Sequence, residues 1–179
     1  MVTSQLLTAK DLWNLGDSAG DYELIEGELV PMAPPGFEHG VIQTRIGSIL
    51  LRHVEALDLG RVATDAGLKL RQEPDTVVAP DIMFLSKTRL PDEPAGYLDF
   101  APDLAIEIVS PSSSPGDIER KLALYLQSGV RLVWIVYPRQ RQVIVHTPND
   151  APRFVNETDE ITGGEVLPGL SFKVSEIFA

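Results

Sequence analysis

Two carboxylates in the middle of the chain have the residue type and surroundings of a hydrolytic metal site. Asp81 follows Pro80 in the apolar run VVAPDIMFL. A proline cannot donate to a sheet ladder, so it marks an edge or bend that redirects the following side chain. Glu107 interrupts LAIEIV, a run typical of a strand covered on both faces. A buried carboxylate is costly unless paired, protonated or metal-bound, so two on neighbouring strands predict a site for a hard divalent cation.

The helix predicted after Glu107 adds a candidate cation. Asp117, Lys121 and Tyr125 are spaced by four residues and share one helix face. Lys121 is the only lysine between residues 88 and 172. A lysine beside a hydrolytic metal site can orient or activate the attacking water, or stabilise charge on a phosphate. Glu28, in the early segment YELIEGELV, is a further candidate acid.

Each of these residues has an ordinary alternative role. Asp81 after a proline also suits a plain turn. Glu107 also suits a buried ion pair with Lys121 or with an arginine, and Lys121 a solvated helix pair with Asp117. For His39 we expect a position that caps or lines a helix, with a phosphate contact as the alternative.

Apolar spacing and capping residues predict the elements that position these side chains. The predicted helices begin after Thr8, cover 37–58 and 115–127, and end the chain at 174–178. The predicted strands are the hairpin 22–30, then 61–70, 76–85, 104–109, 131–137, 142–147 and a last strand near 165–167. This order favours an α/β fold, one mixed sheet with helices on both faces. Trp13 and Trp134 lie in apolar periodic segments, so we predict core positions for both, with base-stacking platforms as the alternative.

Composition restricts the chemistry further. The 179 residues include no cysteine, which excludes disulfides, zinc–thiolate sites and cysteine nucleophiles. The net charge of −11 argues against a broad basic surface for nucleic acid. No run approaches the roughly 20 apolar residues that cross a bilayer, and no signal-peptide pattern is present, so we expect a cytoplasmic protein without membrane contact.

Three segments carry a resemblance to a known family. YELIEGELV, APDIMFL and DLAIEIVSPSSSPGDIERKLALYLQSGVRLVWIVYP resemble the Uma family of restriction-endonuclease-like proteins, within the PD-(D/E)XK nuclease superfamily. The resemblance covers the chain from about residue 8 to 178 and implies a single restriction-endonuclease-like domain over 1–179. It also implies Asp81 and Glu107 as ligands of Mg²⁺ or Mn²⁺, with the Ile108 carbonyl as a further ligand. The implied reaction is phosphodiester hydrolysis in nucleic acid, with DNA favoured over RNA.

The chain departs from the pattern of these nucleases at two positions. The superfamily's simplest pattern has a lysine two residues after the second acid, where this chain has Val109, so the resemblance assigns that role to Lys121. Glu28 matches the family's early acid. The strand LVWIVY ends in Tyr137 rather than an acid, so no further carboxylate is assigned there.

The same observations allow two alternative functions and a homodimeric assembly. The acidic charge favours, as the alternative, a non-catalytic binding or scaffold domain that keeps the nuclease fold. An enzyme acting on a smaller phosphate ester is a third hypothesis, although the sequence has no GxxxxGK[ST] or GxGxxG phosphate loop. Because many nucleases cut two strands as symmetric pairs, a homodimer is a further expectation.

Overall fold

The computed structural model describes residues 6–16, 22–91, 96–111 and 113–178. The helices within these ranges are α1 (Ala9–Leu15), α2 (Phe37–Ala56), α3 (Pro115–Gln127) and α4 (Ser175–Phe178). The strands are β1 (Tyr22–Ile25), β2 (Glu28–Pro31), β3 (Gly60–Thr64), β4 (Leu68–Arg71), β5 (Thr76–Val78), β6 (Ile82–Ser86), β7 (Leu104–Ile108), β8 (Leu132–Tyr137), β9 (Gln142–His146), β10 (Arg153–Asn156), β11 (Glu160–Thr162) and β12 (Ser171–Lys173).

Three sheets organise these strands. The largest has six strands in the order β10-β9-β8-β7-β6-β3, a second has the order β2-β1-β5-β4, and β11 pairs with β12. In the six-stranded sheet β7 and β8 are parallel and α3 connects them, whereas the other neighbouring strands are antiparallel. The predicted α/β class with a mixed sheet and flanking helices is therefore confirmed, but the described strands form three sheets rather than the one predicted.

Helix α2 covers one face of the six-stranded sheet because its apolar residues recur every four positions. Ile42, Ile46, Leu50 and Val54 are buried and belong to the same core as the sheet residues Phe84, Ile106 and Trp134. The opposite face packs against α3 and the second sheet. None of the helices in the described ranges combines the length and apolar character that a membrane crossing requires.

Helix α3 begins and ends where its sequence indicates. The side-chain oxygen of Ser114 accepts a hydrogen bond from the Asp117 backbone N–H at 3.1 Å, and Pro115 occupies the first helical position. The helix ends at Gln127, and Gly129 adopts a φ of 94°. The predicted span 115–127 is confirmed, which fixes the helical position of Lys121.

Alternation along β7 directs Glu107 to the α3 face. Leu104, Ile106 and Ile108 belong to the core beneath α2, whereas Ala105 belongs to the core beneath α3. Since successive strand residues point to opposite faces, Glu107 shares the face of Ala105.

Two predicted strands are wrong in extent. The runs 61–70 and 76–85 each divide into two strands that belong to different sheets, β3 with β4 and β5 with β6. The first run breaks at Asp65, which has a φ of 52°, and the second at Pro80, which lacks a backbone N–H. Asp65 and Asp81 therefore lie where the chain passes between sheets.

The C-terminal strand and one tryptophan also differ from prediction. The last strand expected near 165–167 is wrong, because Gly164 has a φ of 55° and the chain turns there, while β12 forms later. The predicted end helix is present as α4, with Ile177 buried. Trp134 is buried as predicted, but the prediction for Trp13 is wrong, since its side chain is 56% exposed on the seven-residue helix α1.

Candidate active site

An open cleft of about 470 Å³ lies where the chain enters β6 from the second sheet. Its walls come from the β1–β2 hairpin, the first turn of α2, the ends of β6 and β7, and α3. The titratable residues that matter most to its chemistry are Glu23, His39, Asp81, Glu107 and Lys121. Three of the four site residues predicted from the sequence therefore line one cleft.

Strand register brings the two predicted metal ligands together. Ile82 of β6 lies opposite Ile106 of β7 in an antiparallel pair. Asp81 immediately precedes β6, so this register continued by one residue places it across from Glu107, on the same face, and both residues line the cleft. The Asp81 carboxylate accepts a hydrogen bond from the Ile108 backbone N–H at 2.5 Å, which anchors it beside β7.

Glu107 is buried within a set of polar contacts from α3. Its side chain accepts a hydrogen bond from the Tyr125 hydroxyl at 2.5 Å and contacts the Lys121 ammonium at 3.2 Å. Burial raises the pKa of Glu107 to about 7; Lys121 opposes this rise and the nearby Asp81 carboxylate adds to it. The buried ion pair that the sequence allowed for Glu107 is thus present.

Lys121 is held between two carboxylates. Its ammonium lies 2.8 Å from a Glu23 oxygen and 3.2 Å from a Glu107 oxygen, and its side chain is 13% exposed. Burial alone would lower the pKa of Lys121, but Glu107 and Glu23 raise it more, so the group is a cation. The alternative pair with Asp117 is not formed, since Asp117 contacts Arg120 at 2.8 Å instead.

Glu23 is a site residue that sequence reasoning missed. It is 4% exposed on β1, and its carboxylate also accepts a hydrogen bond from the Ala79 backbone N–H at 3.2 Å. Glu28 is exposed on β2 and does not line the cleft, so its role as the early acid stays a prediction. The available signal was distance from the turn: Glu28 adjoins the turn at Gly27, whereas Glu23 lies deeper in the hairpin.

His39 contacts the site from the first turn of α2. Its Nε2 atom lies 3.1 Å from an Asp81 carboxylate oxygen. This hydrogen bond raises the pKa of His39, and burial opposes the rise. Its Nδ1 atom is buried and has no hydrogen-bond partner among the described residues. The prediction for His39 was a position that caps or lines the helix, with a phosphate contact as the alternative, and nothing beyond its residue type indicated the contact with Asp81.

The site combines more negative than positive charge. In the part of the chain that the structure describes, two fixed cations line the cleft, Arg120 and Lys121, against five carboxylate side chains: Glu23, Asp65, Asp81, Glu107 and Asp117. The Glu107–Lys121 pair therefore leaves carboxylate charge uncompensated within a partly buried cleft. Such an arrangement favours a bound cation, and its oxygen atoms suit a hard divalent ion.

Comparisons with known proteins agree with this architecture. The model of the Uma2 family, described as "Putative restriction endonuclease", matches residues 11–175. A crystal structure of "a putative nuclease belonging to DUF820" from Anabaena variabilis has the same fold, with a TM-score of 0.85 at 22% identity, covering 96% of this chain and 97% of that one. No curated protein matches the sequence significantly. Because the family model spans nearly the whole chain, this chain belongs to the Uma2 family.

Proposed function

We propose that this protein is a metal-dependent nuclease that hydrolyses phosphodiester bonds of nucleic acid at the cleft containing Asp81 and Glu107. One observation carries the proposal: Asp81 and Glu107 line the same cleft, where Asp81 is hydrogen-bonded to the backbone of Ile108 beside Glu107, and Lys121 contacts Glu107 from α3. Membership of a family described as putative restriction endonucleases supports the same reaction class. We further propose that residues 1–179 form one restriction-endonuclease-like domain.

The donor set fits Mg²⁺ or Mn²⁺. Among the described residues, no three histidine, aspartate or glutamate side chains converge as a ready ion-binding group. Catalytic zinc sites use three protein ligands, whereas Mg²⁺ is commonly held by one or two carboxylates and retains several waters. Asp81 and Glu107 would hold the ion, which when bound supplies Lewis-acid stabilisation of phosphate charge and a water of lowered pKa.

Lys121 acts as a fixed positive charge in this proposal. An ammonium bound by two carboxylates keeps its proton, so we assign it to orienting the attacking water and stabilising charge that develops on the phosphate. We assign the removal of that water's proton to a carboxylate of the cleft, which acts as the general base. Glu23 positions Lys121, since it binds the same ammonium and is itself anchored to the Ala79 backbone.

The test is a cleavage assay with a matched lysine control. Purified protein is incubated with single- and double-stranded DNA and RNA at low salt with Mg²⁺ or Mn²⁺. We expect cleavage of at least one substrate, and a rate about 10²- to 10³-fold lower in Lys121→Ala, because the charge it supplies acts in the transition state. Lys173→Ala, a substitution on β12 outside the cleft, should keep the wild-type rate.

Equal trace activity in wild type and Lys121→Ala would overturn the proposal. The better function would then be a non-catalytic binding or scaffold domain, which the net charge of −11 favours. DNA as the preferred polymer, a homodimer and a cytoplasmic location stay predictions.

A further inference from the structure

A second cleft of about 530 Å³ adjoins the candidate active site. The two clefts share four lining residues, Glu23, Met32, Asp65 and Ala79. Glu23 is the residue that binds Lys121, so this second cleft begins directly beside the buried ion cluster. A nucleic-acid strand whose phosphate lies at Asp81 and Glu107 would therefore present its next nucleoside to the second cleft.

Aromatic side chains form the wall of this second cleft, which we call the aromatic cleft. Trp13, Tyr22 and Tyr97 line it. The Trp13 and Tyr97 rings meet edge to face, with centroids 5.2 Å apart and an interplanar angle of 86°. Trp13 remains 56% exposed although it is the largest side-chain type, so an aromatic surface is available to a ligand.

Backbone contacts hold Tyr97 in place. The backbone N–H of Leu98 donates to Gly67 at 3.1 Å, and its carbonyl accepts from Lys69 at 2.7 Å. The Tyr97 ring packs where Gly67 lacks a side chain: a Cβ atom at Gly67 would lie 2.3 Å from the ring. The aromatic wall is therefore preorganised, which lowers the entropic cost of binding a flat ligand.

The charge of the aromatic cleft selects among ligands. The charged residues that line it, within the part of the chain that the structure describes, are Glu23 and Asp65, both acidic. These carboxylates repel a phosphate but can accept hydrogen bonds from the amino groups of a neutral base. A flat, uncharged heteroaromatic ring thus matches both the aromatic wall and the acidic rim.

We propose that the aromatic cleft binds an unpaired nucleobase adjacent to the cleaved phosphodiester, so that the substrate is single-stranded or locally unpaired nucleic acid. This inference rests on the proposed nuclease function. A base within a duplex is stacked and paired and must leave the helix before it can contact Trp13. The net charge of −11 is consistent with a single-stranded substrate, because base stacking depends less on attraction to phosphates than the binding of a duplex does.

Tryptophan fluorescence tests the proposal without any cleavage. The chain has two tryptophans, and Trp134 is 1% exposed, so quenching by an added oligonucleotide reports on Trp13. A mixed-sequence single-stranded 12-mer is titrated at low salt in EDTA, against the same sequence as a duplex. We expect quenching by the single strand, much weaker quenching by the duplex, and none in Trp13→Ala.

Fluorescence anisotropy of a labelled single strand then measures affinity in the variants. We expect Trp13→Ala and Tyr97→Leu each to raise Kd at least about fivefold, and Trp13→Phe, which keeps a ring, to stay nearer to wild type. Phe154→Ala is the matched control, since Phe154 is 61% exposed on β10 outside both clefts. Thermal melting of each variant identifies any loss of folding, and the Trp13→Phe comparison keeps the test valid if Trp13→Ala unfolds.

The outcomes separate this inference from the nuclease proposal. Equal Kd in Trp13→Ala, Tyr97→Leu and wild type, with duplex and single strand quenching alike, would overturn the base-binding role even if the protein cleaves DNA. Single-strand quenching that Trp13→Ala abolishes would support that role even if no substrate is cleaved, in which case the nuclease proposal alone fails.

Discussion

At the scale of single residues, the identity of the early acid decides how Lys121 is held. Glu23 contacts Lys121 at 2.8 Å and is buried, whereas Glu28 is exposed and outside the cleft. The two glutamates belong to the same hairpin, so substituting each in turn compares buried and exposed positions on one element. This pair tests the structural assignment directly against the one that the sequence favours.

We expect Glu23→Gln to lower the cleavage rate roughly 10- to 100-fold, because it weakens the ion pair that orients Lys121. Glu28→Gln should stay within about twofold of wild type, since surface substitutions away from such contacts have small effects. Steady-state cleavage of a labelled oligonucleotide measures both. A loss confined to Glu28→Gln would show that Glu28 is the early acid.

Asp103 provides a residue-scale prediction that is independent of the active site. Its buried carboxylate accepts hydrogen bonds from the Ser86 backbone N–H at 2.8 Å and the Arg89 guanidinium at 3.0 Å. Burial alone would raise the pKa of Asp103, but these two donors outweigh burial and lower it from 3.8. Ionised Asp103 therefore stabilises the fold above pH 3.8, and this contribution disappears as the pH falls through the lower pKa of the folded state.

For Asp103→Asn we expect a loss of about 1.5–3 kcal/mol in the free energy of unfolding at pH 7, the range for hydrogen bonds to a charged group. The difference from wild type should shrink as the pH is lowered below the unfolded-state value. Urea denaturation followed by circular dichroism across this pH range measures it. A difference that stays constant down to acid pH would contradict the ionised role of Asp103.

At the scale of elements, α3 connects local capping to the site. Ser114 caps this helix, and Lys121 and Tyr125 reach Glu107 from its next two turns. We expect Ser114→Ala to lower the free energy of unfolding by about 1 kcal/mol, while Ser114→Thr, which keeps a capping oxygen, loses less. Urea denaturation compares the three proteins. Equal losses in both variants would assign the effect to packing rather than to the cap.

The elements also show why sequence reasoning succeeded for helices and failed for some strands. The four-residue spacing of Ile42, Ile46 and Leu50 and the cap at Ser114 are local signals, and they predicted α2 and α3 nearly to the residue. The runs 61–70 and 76–85 were each predicted as one strand, because apolar alternation does not change where a chain passes between sheets. The strand break was nevertheless signalled at Pro80, which is why Asp81 was recognised.

The candidate site was predictable to the same extent. Three site residues have local signals in the sequence. A proline precedes Asp81, an apolar run surrounds Glu107, and Lys121 has helical spacing from its neighbours. Glu23 and His39 enter the cleft through the packing of the hairpin and of α2 against the sheet. Such long-range packing has no periodic signature, so the sequence signal for Glu23 was limited to its distance from the hairpin turn, and that for His39 to its residue type.

At the scale of the whole molecule, the fold places two clefts side by side, one lined by α1 and the other by α3. The aromatic cleft and the candidate active-site cleft share residues of the β1–β2 hairpin and of the segments that connect the two larger sheets. A protein with a net charge of −11 gains little from general attraction to a polyanion. Under the proposed function, recognition of nucleic acid must then come from these local contacts, together with the divalent ion that the two carboxylates would hold.

The most direct test of the account is isothermal titration of Mn²⁺ into wild type, Glu107→Gln and Lys121→Ala at low salt. The account predicts one Mn²⁺ per chain in wild type and in Lys121→Ala, because that substitution removes a cation and no ligand. Glu107→Gln should lose the binding, since an amide replaces one of the two carboxylates. Mn²⁺ binding of equal affinity in wild type and Glu107→Gln would contradict the central claim that Asp81 and Glu107 form the metal site.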